Sequence, residues 1–237
     1  MLRRRRRESG DQQNSYREDA SRMPAPARSG PAHAGPWDIA DDFPEAERID
    51  CGSLLVPVRE GFDVQINVAE EQGAWVAIVH GDSGMQLQAF AAPRSGGLWD
   101  EVRHEIAANI ADSGGSCQES DGPAGTELRA QVPVGDDGLP GQPQPVRFLG
   151  FDGPRWFLRG VVSGPAATDQ ALGEPFDDLF ADVVVVRGDY PAPPREQLEI
   201  RLPEEARVAL EAQLAEQNPG WDLPDPFTRG PEITETR

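Results

Sequence analysis

The chain has 237 residues, 38% of them hydrophobic, with 25 glycines and 23 prolines. That allows one core-bearing domain of roughly 150 residues with unpacked flanks. The net charge is −19 with no lysine; eight arginines against four acids put +4 on residues 1–35, which leaves −23 on the remainder. A body this acidic repels nucleic acid and anionic lipid, and no apolar run reaches the ~18 residues of a membrane span.

Residues 1–36 read as a disordered tail rich in Arg, Ser, Pro and Ala. Too few aliphatic residues are present to offset the entropy of ordering them. The run Arg3, Arg4, Arg5, Arg6 and Arg7 is a candidate contact for nucleic acid or anionic lipid, against the simpler reading of a solvated basic tail. It resembles the start of a signal peptide, but the polar "DQQNSYREDA" follows where an apolar stretch is needed. Cys51 and Cys117 lie far apart in sequence, as expected of reduced thiols, and the expected location is the cytoplasm.

"WDIADDFP" (37–44) is an acidic, aromatic lead-in that can dock on the domain. "RIDCGSLLVPV", "FDVQINVAEE", "AWVAIVHG" and "MQLQAFAAP" then predict a meander of four strands, because apolar and polar residues alternate along them. The spacing of Leu98, Val102, Ile106 and Ile110 predicts a helix with one apolar stripe. Ser95 or Gly97 can cap its start and Gly114 its end. "TELRAQVPV" is a strand, and "GDDGLPGQPQP" is a loop.

"VRFLGF-DG-PRWFLRGVV" predicts a hairpin turned at Asp152-Gly153. That register sets Phe148 opposite Phe157. Leu149, Phe151, Trp156 and Leu158 gather on one face as core, and Phe148, Arg155, Phe157 and Arg159 on the other. Further on, a short helix is expected from Pro175, with Asp177 and Asp178 in its first turn. The valine-rich stretch 183–187 fits either a continued helix or a strand. "PAPPREQLEIRLP" is extended, 203–218 is helical, and 219–237 is a flexible tail.

The sequence holds no assembled catalytic set. "HGDSG" (80–84) shares Gly-Asp-Ser-Gly with trypsin-like proteases, but Met85 stands where the next glycine belongs, and the simpler reading is a hairpin turn. His104 is offset from the helix stripe and has no metal-ligand partner one turn on. The two cysteines read as small buried apolar groups. The Asp-Asp pairs at 41–42, 136–137 and 177–178 read as turn or helix residues, since neighbours in sequence do not converge on one ion. Zinc spacing, phosphate-binding loops and the dinucleotide fingerprint are missing. No metal or cofactor is expected. What remains is the face with Phe148, Arg155, Phe157 and Arg159, residue types that anchor interfaces. The competing reading is a covered face with its arginines paired to nearby carboxylates.

"DGPRWFLRGVVSG", "PFDDLFADVVVVRGDYPAPPRE" and "LEIRLP" resemble an actinobacterial family of domains of unknown function, the DUF3710 type, over about residues 36–202. The resemblance implies a cytosolic actinobacterial protein and transfers no catalytic residue. The order of strands and helices is also similar to small α+β secretion-chaperone folds, a likeness of fold alone. The expected architecture is one α+β domain over 37–202, with a mainly antiparallel sheet of about seven strands and two packed helices. The expected function is a non-catalytic protein-binding or adaptor module, chaperone-like in kind. The alternatives are a small-ligand-binding protein or enzyme, and a nucleic-acid accessory protein acting through the arginine tail.

Overall fold

Strand formation here follows from runs of Val, Ile, Leu and aromatic residues too short and too regularly alternating for helices. The structure is a computed structural model, and it describes residues 35–69, 73–133, 143–204 and 207–208. Three short strands come first: β1 (Trp37–Asp38), β2 (Arg48–Asp50) and β3 (Leu54–Pro57). "RIDCGSLLVPV" is thus a hairpin and not one extended segment. Gly52, at φ +85°, makes the bend that a side chain would resist.

The main sheet holds β4 (Asp63–Ala69), β5 (Gly73–His80), β6 (Ser83–Ala91), β7 (Ser116–Gly122), β8 (Gly125–Pro133), β9 (Pro143–Gly153) and β10 (Trp156–Ser163). Its order is β4-β5-β6-β10-β9-β8-β7, with every pairing antiparallel. The expected four-strand meander is therefore one of three, β4-β5-β6. The preceding segment joins a second sheet of order β1-β11-β3-β2, where β11 is Val184–Val185. Of the valines left open by their sequence, Val184 and Val185 are strand, lying parallel to β1 and antiparallel to β3, and Val183 caps α2. The polar strand β7 has no counterpart in the sequence reading.

Helix α1 (Leu98–Asp112) covers one face of the main sheet, and helix α2 (Gln170–Asp182) with the small sheet covers the other. The larger core joins Leu54 and Val56 of β3 and Phe176, Leu179 and Phe180 of α2 to Met85, Leu87, Leu149, Trp156 and Leu158. The smaller core sets Leu98 and Trp99 of α1 on Phe157, with Phe90, Phe148, Val102 and Ile106 around them. The architecture is α+β.

Two expected boundaries move. Helix α2 begins after Asp169, whose carboxylate accepts hydrogen bonds from the Ala171 and Leu172 amides at 2.9 and 3.2 Å. This cap outweighs the preference of Pro175 for a first helical position, so the proline lies inside the helix and Asp177 and Asp178 lie beyond its first turn. The β9–β10 turn is Pro154-Arg155, not Asp152-Gly153, because Gly153 pairs with Trp156. Proline fixes φ for the first turn position and Arg155 takes the left-handed second, at φ +64°. Gly153 is needed elsewhere: a Cβ there would lie 2.1 Å from the Trp156 ring.

The stretch 191–203 is not extended throughout: Pro194-Arg195 make a turn closed by the Glu196 amide on the Pro193 carbonyl at 3.2 Å, and the stretch touches the body through bridges of Gly52 with Ile200 and Phe90 with Gln197. Among the described residues no helix is long and apolar enough to cross a membrane. Arg3 to Arg7, Asp136, Asp137 and most of the expected 203–218 helix lie outside the described residues.

Candidate functional site

Strand β10 sends successive side chains to opposite faces of the sheet, as any strand must. Trp156, Leu158 and Val162 enter the larger core, while Phe157 and Arg159 point to the α1 side. The turn slips the expected register by an even number of residues, so the division into faces is unchanged while the partners are not. Phe157 lies opposite Asp152, and Phe148 opposite Val161, so the expected Phe148–Phe157 pair does not form.

Phe157 is 1% exposed. It stacks between Phe90 and Trp99, at centroid distances of 6.0 and 5.8 Å. The Trp99 indole rests against the sheet over Gly150, where a Cβ would come within 2.2 Å of the ring. Its Nε1–H donates to the Thr126 carbonyl at 2.6 Å. The aromatic part of the expected face is thus a small core beneath a helix. Phe148 is half-buried beside it, and Arg155 is displaced to the turn.

Arg159 remains at the edge of this core, and it lines an open groove of about 260 Å³ with Phe90, Phe157, Leu98, Val102 and Ile106. Its guanidinium lies 5.3 Å from the centre of the Phe90 ring and donates to the Gln88 side-chain oxygen. The buried Nε–H has no acceptor, and no carboxylate of the described residues pairs with the charge. Burial pushes its pKa down, the direction expected for a cation losing water without gaining an anion.

The opposite rim differs. Arg195 bonds Glu105 at 2.8 and 3.0 Å and Glu101 at 2.9 Å, so the two α1 carboxylates beside the groove are engaged. Arg195 has φ +72° and donates its amide to the Ala91 carbonyl at 2.7 Å. The Arg155 carbonyl accepts from the amide of Ala92 at 2.9 Å. Among the described residues the two non-glycine residues at positive φ therefore flank the same end of β6.

The sequence reading missed a buried ionic cluster on the other face. Arg147 is 4% exposed and bonds Glu127, 1% exposed, at 2.7 Å and Asp177 at 3.0 Å. Burial raises the Glu127 pKa, but hydrogen bonds and charge from Arg147 and Arg129 outweigh it and hold the carboxyl below its usual range. Burial is also the largest influence on Asp177 and leaves its pKa raised. The signal was present: Arg147 alternates in step with Leu149 and Phe151, so a core-facing arginine required an acid from another element.

The remaining candidates do not assemble. Ser83 Oγ accepts from the Ala166 amide at 3.0 Å, while His80 stacks on Phe62 at 4.4 Å with Nδ1 2.7 Å from the Gly61 carbonyl. Gly81-Asp82 is the β5–β6 turn. His104 is exposed, with Nδ1 2.6 Å from the Asp100 carbonyl of its own helix. Burial, with the Asp50 charge adding to it, pushes the Cys51 thiol up to about 11, so it is protonated at neutral pH. Cys117 is half-buried, with Sγ 3.8 Å from the Ala107 carbonyl. Among the described residues no group of three His, Cys, Asp or Glu converges as a metal site would require.

No curated protein and no solved structure matches the chain. The model of a family described as protein of unknown function (DUF3710) matches residues 35–209, most of the chain and all of its described part. The chain belongs to this DUF3710 family.

Proposed function

We propose that this protein is a non-catalytic protein-binding module whose contact surface is the groove beside α1, with Arg159 as its polar anchor. The observation that carries the reading is a largely desolvated guanidinium over Phe90, without a carboxylate partner among the described residues, at the edge of an open groove with apolar walls. A cation in such surroundings costs free energy unless a partner supplies the missing charge. Arginine and aromatic residues are also among the residue types enriched in interfaces. At about 260 Å³ the groove falls below the ~300–1,000 Å³ typical of small-molecule sites, which favours one inserted side chain over a cofactor. Arg155 does not line the groove; it lies at the adjoining β9–β10 turn, where its carbonyl holds the Ala92 amide, and it forms an outer part of the proposed contact surface.

The test is affinity purification from nuclease-treated lysate with wild type, Arg159→Gln and Arg155→Glu, each checked by thermal melting. Arg159→Gln should lose a protein that wild type retains, and Arg155→Glu should retain less of it. Equal capture by all three folded proteins removes the reading.

A further inference from the structure

We infer that the groove takes the C-terminal residue of a partner polypeptide, with an apolar last side chain between α1 and the sheet and its α-carboxylate on Arg159. This rests on the protein-binding reading above and names the chemistry recognised.

The walls decide the side chain. Leu98, Val102 and Ile106 of α1 face Phe90 and Phe157 of the sheet and give an aliphatic or aromatic group apolar walls, while Asn109 and the charged Glu105, Arg159 and Arg195 line the polar part of the groove. The volume suits a single side chain and not a longer apolar segment.

The charges decide what carries it. Arg159 offers one positive charge whose only side-chain hydrogen bond among the described residues goes to the neutral Gln88. A carboxylate is the natural complement of a guanidinium, by charge and by its two-oxygen geometry. Glu101 and Glu105, which would oppose an incoming anion, are tied to Arg195 on the far rim.

The whole molecule then selects among carboxylates. Outside residues 1–35 the chain carries a net −23, so a segment with several acidic side chains meets broad repulsion. A chain terminus presents one carboxylate directly beside its last side chain. It thus satisfies the groove and Arg159 together with the fewest negative charges. Capture of a terminal carboxylate is an established mode of peptide recognition.

The experiment uses fluorescence anisotropy with the full chain and two labelled pentapeptides, Gly-Ser-Gly-Ser-Leu as the free acid and as the C-terminal amide. The acid should bind at least about tenfold tighter than the amide, the difference expected for one charge-assisted hydrogen-bond pair. Arg159→Gln should bring the acid down to the level of the amide. Ile106→Trp should abolish both by filling the groove without altering Arg159. Equal binding of acid and amide to wild type overturns the inference, as does binding of neither, and neither outcome depends on a variant folding. Competition by 4-methylpentanoate as strong as by the acid peptide also overturns it, in favour of a small carboxylic acid. If the peptides fail while Arg159→Gln still loses its captured protein, only this inference falls. If capture is also indifferent to Arg159, the protein-binding reading falls with it.

Discussion

Arg155 occupies a turn position that favours glycine. In a turn of the Pro-X type the second residue takes positive φ, and a Cβ there costs about 1–2 kcal/mol. Arg155→Gly relieves that strain but makes the unfolded chain more flexible, which takes back about 0.4–1 kcal/mol. The variant should therefore be more stable by about 0.5 kcal/mol, read as a higher urea midpoint with an unchanged slope. A lower midpoint would show that the arginine side chain contributes to folding. Arg195→Gly relieves similar strain but gives up the ion pairs to Glu101 and Glu105, so its gain should be smaller. The turn was misplaced for a related reason. Asp-Gly is the stronger hairpin signal in isolation, but Gly153 must lie under the Trp156 ring and Asp152 is engaged by α1. Both demands come from tertiary structure.

Helix α1 carries no capping side chain of its own, because its N-cap is Gly97. Its first amides are met from across the sheet: the Asp152 carboxylate accepts from Leu98 at 3.1 Å and from Trp99 at 3.2 Å. This contact holds the helix to the β9–β10 hairpin and so fixes one end of the groove. Asp152→Ala should cost about 1–2 kcal/mol, the usual loss for a cap. Faster hydrogen exchange in the first turn of α1 would locate the effect, and unchanged exchange there would show that the cap is dispensable. Asp152→Asn should cost less, since its amide oxygen can accept the same bonds. Burial, with Asp100 adding to it, raises the Asp152 pKa against the opposing backbone bonds. A raised carboxyl pKa means that the fold favours the protonated form. Wild type should therefore lose ground to Asp152→Asn as pH rises above the ordinary 3.8. The helix itself was legible from Leu98, Val102, Ile106 and Ile110, and strands β4 to β6 and β8 to β10 from their apolar residues. The cap was not, since it lies more than fifty residues away. Nor was β7: "SCQESDG" lacks branched and aromatic residues and is a strand only because β8 offers it a ladder.

Across the whole molecule the main sheet separates two cores, and the sequence divides β9 and β10 correctly between them. The identity of each cover was beyond it, since α1 connects β6 to the far edge of the sheet while β10 pairs with β6 in the middle. The face expected to be open is consequently closed over Phe157, while Phe148, Arg155 and Arg159 stay partly exposed. On the opposite face the Glu127–Arg147–Asp177 cluster joins β8, β9 and α2 into one unit. Replacing one member leaves a buried charge short of a partner, so Glu127→Gln should destabilise by about 3 kcal/mol. Replacing all three by apolar residues of similar volume should cost less than that single change, because no charge is then left behind. The pH dependence separates charge from packing. The Glu127 pKa is lowered in the fold, so its contribution is present above the ordinary 4.5 and is lost as pH falls through the folded value. Asp177 has a raised pKa and acts in the opposite sense, its ionisation weighing against the fold as pH rises through its folded value. The stability gap between wild type and Glu127→Gln should therefore narrow as pH drops below 4.5. Urea unfolding across the acid range measures that gap. A gap that stayed constant into strong acid would assign the loss to side-chain packing and remove the ionic account of how α2 is held to the sheet.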